Sequence, residues 1–195
     1  SNYSGATTLM GGLTVLRDQG RLSGTSGVTV NRAVLRWDDT GIQSLGNRLS
    51  NGSNVAAPIT LNGGAISYLA RQGTNGSITL GNLTLGSSAS YVVAGSGGTT
   101  TSSGTATINF DSLTRAAGAT VTFGGLSNGS SVGTPGANPF FYFNTAPSLN
   151  NGIVGGWALV RGTDGNTASD NLEFATYDPA VGIRGLTAGN VVSPT

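Results

Sequence analysis

Short apolar runs with a period of two recur along this chain, and they limit its possible folds more than any other feature. Leu13-Thr14-Val15, Val28-Thr29-Val30 and Ala33-Val34-Leu35-Arg36-Trp37 come first. Ile59-Thr60-Leu61, Ile66-Ser67-Tyr68, Ile78-Thr79-Leu80 and Leu83-Thr84-Leu85 follow, then Thr107-Ile108-Asn109-Phe110 and Thr120-Val121-Thr122-Phe123. A period of two places alternate side chains on opposite faces of a strand, so each run buries one face. Thr recurs at the outward positions, where a β-branched side chain favours extended backbone. Asn-Gly steps at Asn51, Asn62, Asn75, Asn128 and Asn151 mark turns that need positive φ. No apolar stripe of period 3.6 is present, so helix is expected to be close to absent. The alternation predicts an inward set of Val15, Val28, Val30, Leu35, Trp37, Ile66, Ile78, Leu80, Leu83, Leu85, Ile108, Phe110, Val121 and Phe123.

Composition decides whether such strands fold. Gly, Thr, Ser and Asn (33, 25, 22 and 17 residues) make up half of the 195 positions, which raises disorder as a rival reading. Val, Leu, Ile and Phe total 45 residues and the net charge is only +1, so the chain has more apolar content and less charge than disordered sequences. Gly has no period of three, which excludes collagen. The chain contains no Cys, His or Lys. That removes disulfides, thiol nucleophiles, His-assisted triads, the usual zinc and haem sites, and Schiff-base chemistry. Charge near neutral argues against nucleic acid as partner, and no run of 18 apolar residues predicts a membrane-spanning helix.

Internal similarity points to stacked rungs. Thr8-Leu9-Met10-Gly11-Gly12 recurs as Thr60-Leu61-Asn62-Gly63-Gly64, 52 positions later, and Val28-Thr29-Val30 is echoed by Ile78-Thr79-Leu80. Thr107-Ile108-Asn109-Phe110 is echoed by Thr120-Val121-Thr122-Phe123. Such a spacing suits two solenoid rungs of roughly 20–25 residues each, which bury their inward side chains only by stacking.

The string Tyr3-Ser4-Gly5-Ala6-Thr7-Thr8-Leu9-Met10-Gly11-Gly12-Leu13-Thr14-Val15 resembles the autotransporter-associated β-strand repeat. Leu113-Thr114-Arg115-Ala116-Ala117-Gly118-Ala119-Thr120-Val121-Thr122-Phe123 resembles another rung of such proteins. Gly152-Ile153-Val154-Gly155-Gly156-Trp157-Ala158-Leu159-Val160 is similar to a segment of large bacterial surface proteins that carry these repeats. The resemblance implies a parallel β-helix passenger, secreted or displayed at the cell surface, with no shared catalytic residues.

Residues 1–134 read as repeat-like rungs. Residues 135–195 read as further rungs with longer loops or a small C-terminal β extension, because Pro135, Pro139 and Pro147 punctuate them and the repeat fades. The aromatic run Phe140-Phe141-Tyr142-Phe143 is either buried on both faces or turned toward a partner.

Few residues offer chemistry. Asp38-Asp39 is the only adjacent acidic pair, a candidate glycosidase carboxylate or calcium ligand. Adjacent strand residues point to opposite faces, so Asp38-Asp39-Thr40-Gly41 reads as a turn after Trp37. Asp164-Gly165-Asn166, with Asp170 and Glu173, has the polar density of a calcium loop, but Ala168 stands where a ligand is needed. Ala94-Gly95-Ser96-Gly97-Gly98 leads into Thr99 to Ser103 rather than a helix, so it reads as a loop and not a phosphate cradle. Trp37, Tyr68 and Trp157 could stack on a sugar, but Leu35, Ile66 and Leu159 on their faces assign them to the core. Asn2, Asn51, Asn75, Asn82 and Asn128 open N-x-S/T strings of the kind this composition produces.

The expected fold is therefore all-β, a right-handed parallel β-helix or β-solenoid, with a β-sandwich as the alternative because alternating strands with Asn-Gly turns also suit hairpins. The expected role is non-enzymatic: a structural segment of an extracellular bacterial fibre, stalk or adhesin passenger. No catalytic, metal-binding or cofactor-binding residues are assigned. The expected partners are copies of the chain, as a homo-oligomer or filament, with glycan or cell-surface contact as an alternative and neither nucleic acid nor membrane insertion. A carbohydrate-binding adhesive module and a polysaccharide-acting enzyme are the rival functions. The end-to-end expectation rests on neither end providing a cap, residues 3–15 entering a rung at once and Val191-Val192-Ser193-Pro194-Thr195 closing nothing.

Overall fold

The computed structural model describes residues 4–50, 56–97, 104–126, 131–135, 139–161 and 172–186. They form no helix, and their strands assemble into parallel sheets. The chain travels in circuits of three strands. The first circuit contains β1 (Thr7–Met10), β2 (Leu13–Arg17) and β3 (Leu22–Ser23). The second contains β4 (Val28–Asn31), β5 (Val34–Asp38) and β6 (Leu49–Ser50), and the third β7 (Ile59–Asn62), β8 (Ala65–Ala70) and β9 (Gly76–Thr79). The fourth contains β10 (Leu83–Ser87), β11 (Ala89–Ser96) and β12 (Ala106–Phe110), and the fifth β13 (Leu113–Arg115), β14 (Thr120–Gly125) and β15 (Pro139–Phe143). β16 (Ala158–Arg161), β17 (Leu172–Asp178) and β18 (Gly182–Gly185) follow.

Strands pair with their counterparts one circuit on, except that β6 does not pair with β9. A five-stranded sheet runs β1-β4-β7-β10-β13, an eight-stranded sheet β2-β5-β8-β11-β14-β16-β17-β18, and a third wall is split into β3-β6 and β9-β12-β15. Among the described strands, only β16–β17 and β17–β18 pair antiparallel, so the hairpins a β-sandwich needs are confined to that end.

The register explains the alternation. Thr8, Thr29, Thr60, Thr84 and Thr114 are successive register partners and form one outward column of the five-stranded sheet. They are 21, 31, 24 and 30 residues apart, so the 52-residue repeat divides into one short and one long circuit. Beside that column the inward partners Val28, Ile59 and Leu83 stack in the core, as do Leu35, Ile66, Val92 and Phe123 from the eight-stranded sheet. Ile78, Ile108 and Phe141 close the core from the third wall. Burying each such side chain contributes on the order of 1.5–3 kcal/mol.

The corner between the first two sheets is built the same way in every circuit. A residue with positive φ turns the chain: Gly11 (72°), Arg32 (48°), Gly63 (69°), Ser88 (59°) and Gly118 (81°). Asn31 and Asn62 stack beside it, the Asn62 amide nitrogen donating to Asn31 Oδ1 at 2.7 Å.

Several sequence expectations need correction. Val15 points outward and is 42% exposed, while Leu16 takes the inward place beside Trp37. Ile78-Thr79-Leu80 lies at β9 in the third wall and is not the counterpart of β4, whose partners are β1 and β7. Likewise β12 and β14 occupy different walls. Asn75-Gly76 makes no positive-φ turn. Gly76 opens β9 and lacks a Cβ because the Tyr68 hydroxyl and Ala70 stand against it. Asn51 and Asn128 lie outside the described residues.

The C-terminal end carries a partial cap where none is expected: β14 continues into β16 and a hairpin, while β13 and β15 each pair on one side only among the described residues. The β17–β18 hairpin folds back from β16, burying Ala175 and Ile183. The Tyr177 hydroxyl donates to Phe143 O at 3.0 Å and accepts from Phe143 N at 3.2 Å. Beneath it Phe143 stacks on Phe110, their ring centroids 5.2 Å apart. The aromatic run is thus divided: Phe141 and Phe143 are core, while Phe140 and Tyr142 face outward half-buried. Residues 191–195 lie outside the described residues.

Candidate functional site

Asp38 and Asp39 end β5, and the strand's alternation separates their tasks. Asp38 follows the outward phase, opposite Arg17 of β2. Its Oδ1 accepts from Thr40 N at 2.9 Å and from the Thr40 hydroxyl at 2.6 Å, and Arg17 Nη1 lies 3.3 Å from Oδ2. Burial pushes the Asp38 carboxyl up, but the Thr40 hydrogen bonds and the Arg17 and Arg36 charges together hold it below the usual carboxylate value. Asp39 turns inside. It pairs with Arg48 at 2.9 Å, and neither side chain exceeds 1% exposure.

The Asp39 carboxylate is saturated. Oδ1 accepts from Arg48 Nη2 and from Leu45 N at 3.3 Å; Oδ2 accepts from the Ser44 hydroxyl at 3.0 Å and the Tyr68 hydroxyl at 3.3 Å. Arg48 also donates to the carbonyls of Asp18, Gly20 and Gln43. Burial, then the Asp39 charge, raise the Tyr68 hydroxyl well above its ordinary pKa, so it stays a donor at neutral pH. With its oxygens committed, the pair fastens the 39–48 loop to two neighbouring circuits, and no acid–base couple results. Among the described residues no group of three or more His, Cys, Asp or Glu could hold a metal ion.

The long second circuit leaves a gap in the third wall, where β6 does not pair with β9. A cleft of about 430 Å³ lies there, lined by Ser44, Leu45, Asn47, Leu49, Ser77 and Thr79. Its lining carries no charge and no aromatic ring, so it offers hydrogen bonds but no sugar-stacking face or phosphate contact.

The other expected sites fare differently. Trp37 and Tyr68 are core residues beside Leu35 and Ile66. Trp157 is partly buried, with Arg115 5.1 Å above its ring. Arg36 faces outward and donates from Nε to the Ser67 hydroxyl at 3.3 Å. Asn75 Oδ1 accepts from Thr105 N and hydroxyl, and Asn82 Oδ1 from the Ser112 hydroxyl. Asp164, Gly165, Asn166, Ala168, Asp170, Asn2 and Gly98 to Ser103 lie outside the described residues; Glu173 lies in β17. The partnership of Asp39 with Arg48 and Tyr68 had no sequence signal, because Arg48 lies nine positions away across a loop and Tyr68 29 positions away in the next circuit. The Asn31–Asn62 stack did have one, in the shared string Thr-x-Asn at Thr29 and Thr60.

The outward faces of the walls differ in chemistry. The five-stranded sheet presents the Thr column with Asn31, Asn62 and the exposed Met10, and the third wall presents Ser77, Thr79, Thr107 and Asn109 with Phe140 and Tyr142. The eight-stranded sheet instead presents Leu13, Val15, Tyr91, Leu172 and Phe174, five of the nine large apolar residues that are exposed among the described ones. Comparison with protein-family models, curated proteins and solved structures finds no match for this chain, so its functional reading rests on its own geometry.

Proposed function

We propose that this chain is a non-enzymatic structural segment of an extracellular bacterial fibre, stalk or passenger, a right-handed parallel β-helix that associates through its first rung. The observation that carries the reading is the one-sided pairing of the end strands. Among the described residues β1, β2 and β3 each pair on one side only, as do β13 and β15 at the other end, where β14 alone continues into β16 and the β17–β18 hairpin. An unpaired rung is a template for another. The in-register columns support the helix, since each rung offers the next the same Thr, aliphatic and corner positions. The uncharged, Cys-free composition and the resemblance to surface-protein repeats support the extracellular setting. The committed carboxylates of Asp38 and Asp39 support a role without catalysis.

Parallel pairing makes the edge testable. Thr7 N and Gly11 N donate to the carbonyls of Gly27 and Asn31, so the alternate amides of Thr8 and Met10 point away from β4. Light scattering over a concentration series, with electron microscopy, is expected to show association of the native chain that Thr8→Pro/Met10→Pro abolishes with its circular dichroism unchanged. Association of equal strength in both proteins contradicts the reading.

One observation favours a carbohydrate-binding adhesive module as the second reading. Phe140 and Tyr142 stand side by side on the outer face of the third wall, centroids 6.1 Å apart and planes within 8°, next to Thr107 and Asn109. Aromatic faces beside an amide and a hydroxyl suit a sugar ring. Glycan-array binding lost in Phe140→Ala, without cleavage of the glycan, is the result that selects this reading.

A further inference from the structure

We infer that the outer face of the eight-stranded sheet is a lateral interface that takes a second copy of this chain, independently of any contact at the first rung. The register defines the face. One outward column runs Leu13, Val34, Ala65, Tyr91, Thr122, Leu159, Phe174, and the next runs Val15, Arg36, Ser67, Val93, Gly124, Arg161, Leu172. Leu13, Tyr91, Leu172 and Phe174 are 54, 52, 58 and 48% exposed. These positions break the alternation of a solvent-facing strand surface, which carries polar residues. A large exposed apolar patch marks a site of association.

The arrangement fits a copy better than a different partner. Val34 and Leu159 in one column lie beside Arg36 and Arg161 in the other, and Tyr91 lies beside Val93, so each column complements its neighbour. A two-fold axis along the ladder, parallel to the sheet and between the two faces, sets each column against its neighbour in the copy. Val34 and Leu159 then cover the aliphatic stems of Arg36 and Arg161, and no two guanidiniums meet head on. The ion pair of Arg17 with Asp38 lies on the flank, giving the apolar centre a polar rim. Seven strands at about 4.8 Å spacing make a face roughly 29 Å long, and the two side-chain columns with the flanking rim make it about 16 Å wide. That is on the order of 500 Å² a side and 1,000 Å² in total, the lower bound for a specific interface. A net charge of +1 opposes the approach of two copies very little.

Sedimentation equilibrium of the full chain tests this, with Thr8→Pro/Met10→Pro present to silence the first-rung edge. A monomer–dimer equilibrium is expected to remain in that background. Tyr91→Asp and, separately, Val93→Asp are expected to weaken it by at least about ten-fold. Thr60→Asp, the same charge on the five-stranded sheet, is expected to leave it unchanged. Circular dichroism and melting temperature establish that each variant folds, and the milder Tyr91→Ser/Leu172→Ser replaces any that does not. A background variant that stays monomeric at millimolar concentration overturns the inference. So does a dimer indifferent to Tyr91, one that Thr60→Asp weakens equally, or a face that binds glycan or lipid vesicles while the chain stays monomeric. Loss of dimer on Tyr91→Asp with no effect of the Pro substitutions upholds this inference and removes the end-to-end reading.

Discussion

Asp38 and Asp39 are neighbours whose environments share almost nothing, and the strand's alternation is the cause. Asp39 is a buried ion whose stability depends on its partner. Arg48→Met leaves that carboxylate uncompensated and is expected to cost about 3–5 kcal/mol in urea unfolding, whereas Asp39→Asn/Arg48→Met together are expected to recover part of the loss. Single and double variants that cost the same would contradict the pairing. Asp38 supplies the pH dependence. Its carboxyl is held below the ordinary aspartate value in the folded chain, so the folded state binds this proton less readily than the unfolded chain. Its contribution is full above pH 4, roughly, and is lost as pH falls through the lowered value. Asp38→Asn is expected to flatten the acid limb of stability below about pH 4, measured by melting temperature against pH. From the sequence, the turn at Asp38 was legible because an Asx residue before Thr-Gly caps its own backbone. The burial of Asp39 was not, because alternation gives a side chain's direction and not the loop that folds over it. Val15 was misread for a related reason. In Leu13-Thr14-Val15-Leu16 the apolar residues occupy both phases, and only the pairing of Leu16 with Trp37 decides between them.

At the scale of elements, the corners set the register of the circuits. Arg32 and Ser88 adopt positive φ without being glycine, whereas Gly63 takes the same place in the third circuit. Arg32→Gly and Ser88→Gly are each expected to raise stability by about 0.5–1 kcal/mol, because relief of left-handed backbone exceeds the entropy Gly adds to the unfolded chain. Gly64 is constrained differently: a Cβ there would lie 2.6 Å from Val30 Cγ1 and 2.8 Å from Val30 O. Gly64→Ala is expected to cost about 1–3 kcal/mol, read by thermal unfolding, and a neutral result would contradict the close packing of adjacent circuits. The strands themselves were legible from alternation, and the match of Thr8–Gly12 with Thr60–Gly64 located two strands of one sheet. The other echoes misled. Val-Thr-Val strings satisfy any wall with one face buried, so similarity between β4 and β9 carries no information about which wall each joins.

For the molecule as a whole, three walls enclose one core and present unlike outer surfaces. Composition hid this, because an average over the chain merges a Thr- and Asn-faced wall with an apolar one. The hairpin at one end was hidden too, since nothing in the alternation of β17 and β18 announces antiparallel pairing. The one-sided pairing of β1 among the described residues is what the proposed association depends on, and amide hydrogen exchange at Thr8 and Met10 reads it most directly. The account predicts that these two amides, which face away from β4, exchange freely in dilute chain and gain protection as concentration rises, while the amides of Thr7 and Gly11 are protected throughout. Exchange at Thr8 and Met10 that is independent of concentration, in samples that light scattering shows to be associated, would contradict it.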